Sequence, residues 1–305
     1  MILQRDPLRA KPVILDGGVG SEIRARGHLL HSSAWSALAH VEDPALVMGI
    51  HHDYLAAGAE IVTANTFPLS RHNLEHAGLG ASFASSNKCA VELAKSAVRS
   101  FPDRQAFVAG SMSTIPPMDS ADHLQTGASA FRNYCEQAEI LAESGVDLII
   151  AEMLLEIESA SLLLEAASTV ELPLWAGLSA MLGDDHEVMG FRTPGKYLEV
   201  PSTRFSELIE AASSFSVELI AVMHTKIDVV PHALDVLEHN WRGPIAAYAE
   251  TGKAGDSDWF FDTAAEPDDY ADCAVAWFER FGLDAVGGCC GTRPAHIAAL
   301  SQRLR

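Results

Sequence analysis

The sequence predicts a TIM barrel, an eight-stranded parallel β-barrel surrounded by helices. Eight short apolar runs recur along the 305 residues, and most of them do not alternate with polar residues. This is typical of strands buried on both faces of a parallel sheet. A helical pattern follows each run, and eight β/α units in a chain of this length are typical of a barrel, which usually needs about 250 residues. No linker or change of composition divides the chain, so we expect residues 1–305 to form a single domain.

The predicted strands are short apolar runs that stop at glycine or at a polar residue. The first stops at Asp16-Gly17-Gly18, which indicates a glycine turn. The second stops at Asn65-Thr66-Phe67, and the last stops at Gly287-Gly288. In chain order the predicted strands are Val13–Leu15, Glu60–Thr63, Ala106–Ala109, Val146–Ala151, Leu172–Leu178, Glu218–Met223, Pro244–Ala247 and Asp284–Val286.

The predicted helices place apolar residues at helical spacing between recognisable ends. Asp43-Pro44 favours a helix start and Gly58 a helix end, so the first helix is expected between them. The other predicted helices are Ser86–Val98, Ala128–Ser144, Ile157–Ala167, Phe205–Ser213, Val229–Glu238, Tyr270–Phe281 and Pro294–Leu304.

Two connections are unusually long and follow the fifth and seventh strands. They are Leu182–Ser202, which is rich in glycine and acidic residues, and Thr251–Pro267, which carries Trp259-Phe260-Phe261. Long structureless loops in a compact domain usually act as lids or binding loops. Both leave the carboxyl ends of strands, where barrel enzymes place their chemistry.

The composition excludes several classes of partner. A formal net charge of −20 argues against binding nucleic acid or an anionic membrane, because phosphate groups require a basic surface. No apolar run reaches the roughly 20 residues of a membrane span, and residues 1–11 lack the apolar segment of a secretion signal. Five cysteines spread over a long chain do not resemble a disulfide framework, so we expect a reducing cytoplasm. Association into a homo-oligomer stays open.

Polar side chains are concentrated where the predicted strands end. Because the carboxyl ends of barrel strands meet at one mouth, these residues are expected to surround a common site although they lie far apart in sequence. They are Asp16, Asn65, Thr66, Ser111, Glu152, Ser179, His224, Tyr248, Cys289 and Cys290.

Cys289-Cys290 is the strongest single indication of function. The pair lies between Gly287-Gly288 and Gly291, directly after the eighth strand. Thiolates favour zinc, so a metal site is one interpretation. The other is a pair of small buried apolar residues beside a turn.

Several motifs resemble the homocysteine S-methyltransferase family, including its betaine–homocysteine methyltransferase branch. The resemblance spans the whole chain, and the most specific match is GGCCGTRPAHI. The matching stretches are Leu15–Gly18, Trp35-Ser36, His51–Ala59, Thr63–Phe67, Ala109–Ser111, Gly145–Glu152 and Gly287–Ile297.

The resemblance implies a barrel that holds zinc through three cysteines and binds homocysteine as the zinc thiolate. The chain departs from the family pattern at two places. His224 stands where the first zinc cysteine is expected, after Met223 in place of an asparagine. Since histidine is a good zinc ligand, we expect a site made of His224, Cys289 and Cys290 with an open fourth position. The second departure is Ala249-Glu250-Thr251-Gly252, where the family often has a PNSG-like turn.

The resemblance and the strand-end positions together suggest roles for the remaining residues. Glu152 is expected to bind the substrate ammonium group, with Asp16 helping to orient it. Asn65, Thr66 and Ser111 are expected to contact the substrate carboxylate or to line the mouth. Aromatic residues are expected to surround the cationic methyl donor, since cation–π contacts contribute about 0.5–2 kcal/mol. These aromatic residues are Trp35, Tyr248, Trp259 and Phe260.

The predicted function is therefore zinc-dependent methylation of homocysteine to methionine. The expected donor is small, such as S-methylmethionine, S-adenosylmethionine, betaine or dimethylsulfoniopropionate, because the chain is about the size of the catalytic barrel alone. Two alternatives remain at this point. One is a methyltransferase that uses another metal or acts on a different thiol or selenol, and the other is a non-catalytic barrel that binds an amino acid or betaine.

Overall fold

The computed structural model describes residues 11–119, 127–195, 198–254, 259–260 and 265–305. Eight parallel strands form one sheet, and the predicted TIM barrel is confirmed. The barrel strands are β1 (Val13–Ile14), β2 (Ile61–Ala64), β3 (Phe107–Ser113), β4 (Leu148–Leu154), β5 (Leu174–Leu178), β9 (Leu219–Lys226), β10 (Ile245–Glu250) and β13 (Ala285–Val286).

The sheet closes on itself between its first two strands. Along the sheet the strands follow chain order from β2 to β13, and β13 pairs with β1. A parallel bridge between Leu15 and Ile61 closes the ring. The Asp16 amide donates to the Ile61 carbonyl at 3.0 Å, and the Glu60 amide donates to the Ile14 carbonyl at 2.7 Å. All eight strand carboxyl ends therefore meet at one mouth.

Helices surround the barrel, and each predicted helix is present with small shifts at its ends. Asp43 caps the helix that begins at Pro44, since its side chain accepts from the Leu46 amide at 3.0 Å. The helices are α1 (Val19–Ala25), α2 (Ala39–Glu42), α3 (Pro44–Ala57), α4 (Arg71–His76), α5 (Phe83–Arg99), α6 (Gly127–Ser144), α7 (Ile157–Ala167), α8 (Phe205–Ser213), α9 (Val230–Asn240), α10 (Pro267–Phe281) and α11 (Pro294–Leu304). No described helix combines the length and the apolar character that crossing a bilayer requires.

The connection after the fifth barrel strand is not structureless, so that expectation was wrong. It contains a three-stranded antiparallel sheet of β6 (Met181–Leu182), β7 (Val188–Gly195) and β8 (Leu198–Arg204). Val188 and Phe191 on β7 are buried, which anchors this sheet to the barrel although its glycines and acidic residues resemble a loop. The connection after the seventh strand contains a short antiparallel pair, β11 (Lys253–Ala254) and β12 (Trp259–Phe260).

Apolar side chains fill the inside of the barrel as well as the layer between sheet and helices. The interior cluster includes Val13, Ile61, Ile150 and Trp175, all nearly inaccessible to water. The barrel is therefore a packed core and not a pore. A substrate has to bind at the mouth, above this cluster.

Candidate metal and substrate site

A cavity opens at the carboxyl ends of the strands. Its volume is about 100 Å³, and the cavity is partly open to solvent. This volume is below the roughly 300–1,000 Å³ of typical small-molecule sites. The polar and aromatic side chains that line it include Asp16, Trp35, Asn65, Glu152, His224, Tyr248, Cys289 and Cys290. The barrel thus brings together residues separated by more than 200 positions in sequence.

His224, Cys289 and Cys290 form a cluster that suits a metal ion. One ligand atom from each lies within 4.8 Å of the other two. The Cys289 Sγ atom is 3.8 Å from His224 Nδ1 and 3.9 Å from Cys290 Sγ. Zinc bonds of about 2.3 Å to sulfur and about 2.1 Å to nitrogen place tetrahedral neighbours roughly 3.6 Å (N–S) and roughly 3.8 Å (S–S) apart. The observed distances therefore fit a tetrahedral zinc site.

Without a bound cation, the proximity of Cys290 disfavours ionisation of the Cys289 thiol. The contact with Cys290, and then burial, raise the pKa of the Cys289 thiol well above its usual value. The Cys289 thiol donates a hydrogen bond to Cys290 Sγ, which stabilises its protonated form, and burial and repulsion by Cys290 also disfavour the thiolate, while His224 favours it. A bound divalent cation would favour the thiolate, because thiolates bind it directly.

Backbone hydrogen bonds fix the cysteine turn against the neighbouring strands. The Cys289 amide donates to the Ala249 carbonyl at 2.9 Å, and the Thr251 amide donates to the Cys290 carbonyl at 2.8 Å. The Thr292 hydroxyl donates to the Cys289 carbonyl at 2.6 Å. A Cβ atom on Gly288 would lie 2.1 Å from the Thr292 Oγ1 atom, so only glycine allows this close approach.

His224 reaches the cysteines through an unusual backbone conformation near the end of β9. Its φ is 42°, in the left-handed region that non-glycine residues rarely adopt. Met153, which directly follows Glu152, also has a positive φ of 50°. Backbone strain of this kind costs about 1–3 kcal/mol and is concentrated at functional sites. Both strained residues line the cavity.

Two carboxylates flank the His224 ring. Glu250 Oε2 lies 3.3 Å from Nδ1, and Glu199 Oε1 lies 3.9 Å from Nε2. Burial by itself lowers the pKa of His224, but Glu250, Cys289 and Glu199 together raise it to about 10. Burial raises the pKa of Glu250, although the imidazole opposes this effect.

Sequence reasoning assigned no role to Glu250 or Glu199. A signal for Glu250 was present, because it follows Tyr248 by two residues on one strand and alternate residues share a face. Glu199 lies on β8, within the connection that the sequence predicted as a structureless loop. Its approach to the site therefore depends on tertiary folding.

The other side of the cavity carries Asp16 and Glu152. Asp16 is 3% exposed and accepts from the Thr63 amide at 2.7 Å and the Thr63 hydroxyl at 2.9 Å. Burial raises the pKa of Asp16 to about 8 against the opposing effect of these bonds, and Glu152 adds to the increase. Glu152 accepts a hydrogen bond from the Ser111 hydroxyl. Burial raises the pKa of Glu152, while Ser111 and Tyr248 lower it.

The remaining predicted residues are held mainly by bonds within the protein. Asn65 accepts from the Ser36 hydroxyl at 2.7 Å and donates to the Ser36 carbonyl at 3.0 Å. The Thr66 hydroxyl donates to the Ser111 carbonyl at 2.8 Å and accepts from the Ser111 amide at 2.9 Å. Asn65 and Ser36 line the cavity together with Trp35 and Tyr248, whereas Thr66 and Ser111 lie behind its wall. The predicted contacts of the Trp259 and Phe260 side chains lie outside the part of the chain that the structure describes.

Met223, at the position where the resemblance suggests asparagine, packs beneath the site. Its Sδ atom lies 3.3 Å from the Met153 amide and 3.3 Å from the Ser179 hydroxyl. The thioether therefore connects β9 with β4 and with the residue that follows β5.

Comparisons with known proteins agree with the barrel fold. The family described as homocysteine S-methyltransferase matches residues 13–304. Homocysteine S-methyltransferase 2 of Arabidopsis thaliana is 25% identical, over 95% of this chain and 92% of that protein. Betaine–homocysteine S-methyltransferase 1 of Bos taurus is 26% identical, over 96% of this chain and 72% of that protein. The metallated form of the Escherichia coli homocysteine methyltransferase MmuM superposes with a TM-score of 0.73 at 25% identity, covering 98% of this chain and all of that one.

Proposed function

The chain belongs to the homocysteine S-methyltransferase family, and from this premise we propose that it methylates the thiolate of homocysteine to give methionine, with a zinc ion held by His224, Cys289 and Cys290. As a member of this family it is a methyltransferase. The proposed donor is a small sulfonium or quaternary ammonium compound, such as S-methylmethionine, S-adenosylmethionine or betaine. The main support is a single cavity in which a Cys2His cluster and two buried carboxylates meet.

The two carboxylates suit the ammonium group of an amino-acid thiol. Glu152 and Asp16 line the same cavity, and burial raises the pKa of both. A bound ammonium group would favour their ionised forms and would add charge-assisted hydrogen bonds. Ser111 and Thr63 already hold the carboxylates in place, so binding does not have to order them.

A zinc ion held by the Cys2His cluster would bind the sulfur of the acceptor. Bound there, zinc would lower the pKa of the acceptor thiol and maintain the thiolate, which is the nucleophilic form. An imidazole in place of a third thiolate makes the ligand set less negative, so the metal is more Lewis acidic. The protein's own contribution is to hold the sulfur and the donor methyl carbon in line.

The cavity also suits a cationic methyl donor. Tyr248 is buried and Trp35 is half-buried, and both rings line the cavity beside its carboxylates. During transfer a new S–C bond forms, and the electron pair of the breaking C–S⁺ or C–N⁺ bond stays on the leaving atom. The leaving group therefore loses its positive charge, and with it the cation–π attraction of about 0.5–2 kcal/mol per ring.

A donor screen tests the proposal. Purified, reduced and zinc-loaded protein is incubated with homocysteine and each donor in turn, and methionine is followed by mass spectrometry. We expect methionine with at least one sulfonium or quaternary ammonium donor. No methionine with any of them, from folded and zinc-loaded protein, would contradict the proposal.

Glu152→Gln is expected to raise the KM for homocysteine at least tenfold, because a hydrogen bond to a charged group contributes about 1.5–3 kcal/mol. The matched control is Glu156→Gln, which removes a half-buried carboxylate at the start of α7 outside the cavity lining. This control is expected to leave KM unchanged. An unchanged KM in Glu152→Gln would remove Glu152 from the binding site.

A further inference from the structure

Trp35 reaches the cavity at the end of a five-residue turn, residues 31–35, in an unusual backbone conformation. Its φ is 50°, in the left-handed region that bulky side chains rarely adopt. Such strain costs about 1–3 kcal/mol and persists only where the surrounding structure holds it. Trp35 is half-buried and lines the cavity. The contacts that hold this turn therefore also fix one wall of the site.

His31 closes the turn from within. Its amide donates to the Trp35 carbonyl at 2.8 Å. Its ring Nδ1 atom accepts from the Ser33 amide at 3.2 Å and from the Ala34 amide at 3.1 Å. Ser33 and Ala34 are buried, so the turn needs an acceptor for these two N–H groups. Asn and Asp side chains play the same part in Asx turns, where they accept from the amide two residues ahead.

A second group of contacts holds the turn from outside. The Ser33 hydroxyl donates to Asp119 Oδ2 at 2.6 Å, and the Met118 amide donates to the Ser33 carbonyl at 2.9 Å. Asp119 lies in the connection after β3, and its Oδ1 atom is 3.0 Å from Nε2 of His76 on α4. The turn is thus tied to the segments that follow β2 and β3.

The indole ring packs closely against α1. A Cβ atom on Gly20 would lie 2.3 Å from the Trp35 Nε1 atom, which is closer than Cβ atoms approach other atoms in proteins. Gly20 lines the same cavity. Because the cavity has a volume of only about 100 Å³, a small displacement of this ring changes the space available to a ligand beside it.

We propose that His31 is a positioning residue that holds the Trp35 ring in the wall of the cavity and thereby sets the affinity for the cationic methyl donor. This rests on the proposed function, because it requires a donor that carries positive charge. Among aromatic side chains, the indole face attracts a cation most strongly, and the attraction requires the cation within about 6 Å of the ring centre. A ring released from the turn loses this placement. The proposed acceptor contacts, at the metal cluster and the carboxylates, do not involve Trp35.

The position of the ring can be measured without donor or metal. Protein labelled with 5-fluorotryptophan gives fluorine-19 signals for its five tryptophans, and the spectrum of Trp35→Phe assigns the Trp35 signal. We expect His31→Ala to shift or broaden this signal. His31→Asn should restore the wild-type signal, because its side-chain oxygen can accept from the Ser33 amide.

His239→Ala is the matched control. Its ring Nδ1 atom also contacts the backbone, at 2.6 Å from the Asp235 carbonyl, but on the exposed surface of α9. We expect this variant to leave the Trp35 signal and both KM values unchanged.

Kinetics with a donor that supports methionine formation in the screen test the consequence for binding. We expect His31→Ala to raise the donor KM about 5–30-fold, the range of a lost cation–π contact. The KM for homocysteine should change less than about twofold, since separate contacts act independently. In a Trp35→Ala background, His31→Ala should add less than about twofold, because both residues act through one ring. Ser33→Ala, which removes the bond to Asp119, should act in the same direction with a smaller effect, and it replaces His31→Ala if that protein does not fold.

Three results would overturn the proposal. They are a wild-type Trp35 signal in His31→Ala, a rise in donor KM that is equally large in the Trp35→Ala background, and an equal rise in the KM values for donor and homocysteine. If no donor gives methionine, the proposed function fails, and the fluorine signal still decides whether His31 holds Trp35.

Discussion

His224 carries the main chemical difference between this chain and the pattern that its motifs suggest. Its φ of 42° directs the imidazole toward Cys289, at a backbone cost of about 1–3 kcal/mol. The ring is buried between the two thiols and the two carboxylates, which compensate its charge from opposite sides. The strained backbone positions this side chain beside Cys289, and ligation requires the ring to release the proton that the carboxylates favour.

Asp16 provides a test at the residue scale that is independent of the metal. Its pKa is about 8 in the folded chain against the usual 3.8, so the folded state binds a proton more tightly than the unfolded state. Stability of the metal-free protein should therefore fall as pH rises from about 4 to about 8, by up to about 1.4 kcal/mol per pH unit. Asp16→Asn does not titrate and can keep both contacts with Thr63, so it should lack this decline.

Urea denaturation of the metal-free wild type and Asp16→Asn across this pH range gives the comparison. We expect the variant to gain stability relative to the wild type as pH rises, with no further change above about pH 8. Parallel stability curves for the two proteins would show that the folded and unfolded states bind the Asp16 proton equally.

At the scale of the elements, the turn from β13 into α11 positions both cysteines. Gly288 has no side chain, so Thr292 can pack closely against it. In this position the Thr292 hydroxyl donates a hydrogen bond to the Cys289 carbonyl. We expect Gly288→Ala to destabilise the protein by about 1–3 kcal/mol through overpacking. We also expect weaker zinc binding, because the displaced Thr292 releases the cysteine backbone.

Gly49→Ala is the matched control for this substitution. Gly49 lies within α3, and a Cβ atom there would meet nothing within 4 Å. Helix propensity should make this variant more stable by about 0.5–1 kcal/mol, with no change in zinc affinity. The free energy of unfolding and the zinc Kd are measured for both variants. If Gly288→Ala is as stable as Gly49→Ala and binds zinc as tightly, the close packing of Gly288 against Thr292 is not required.

Local patterns predicted the regular elements well but failed at one connection. Apolar runs such as Leu148–Leu154 stand out because both faces of a barrel strand are buried. The antiparallel sheet after β5 was missed because its strands carry glycine, proline and acidic residues and because it is stabilised by burial of Phe191 against the barrel. Such burial depends on the finished fold and leaves little trace in the local sequence.

At the scale of the whole molecule, the barrel explains why the candidate site could be assembled from sequence. Every strand delivers its carboxyl end to the same mouth, so Asp16, Glu152, His224 and Cys289 were placed together by topology alone. The alternation from Tyr248 placed Glu250 near the mouth but did not pair it with His224, because the register between β9 and β10 shifts between Tyr248 and Glu250. Sequence reasoning also could not separate residues that line the cavity from those that position its wall, such as Thr66.

The central claim is that an imidazole and two adjacent thiols hold one zinc ion at the mouth of this barrel. The most direct measurement is the zinc content of the reduced, zinc-replete protein after gel filtration, for the wild type and His224→Ala. The account predicts about one zinc per chain in the wild type and loss of that zinc in a folded His224→Ala protein. Wild-type protein without zinc, or a His224→Ala variant that retains it, would contradict the account.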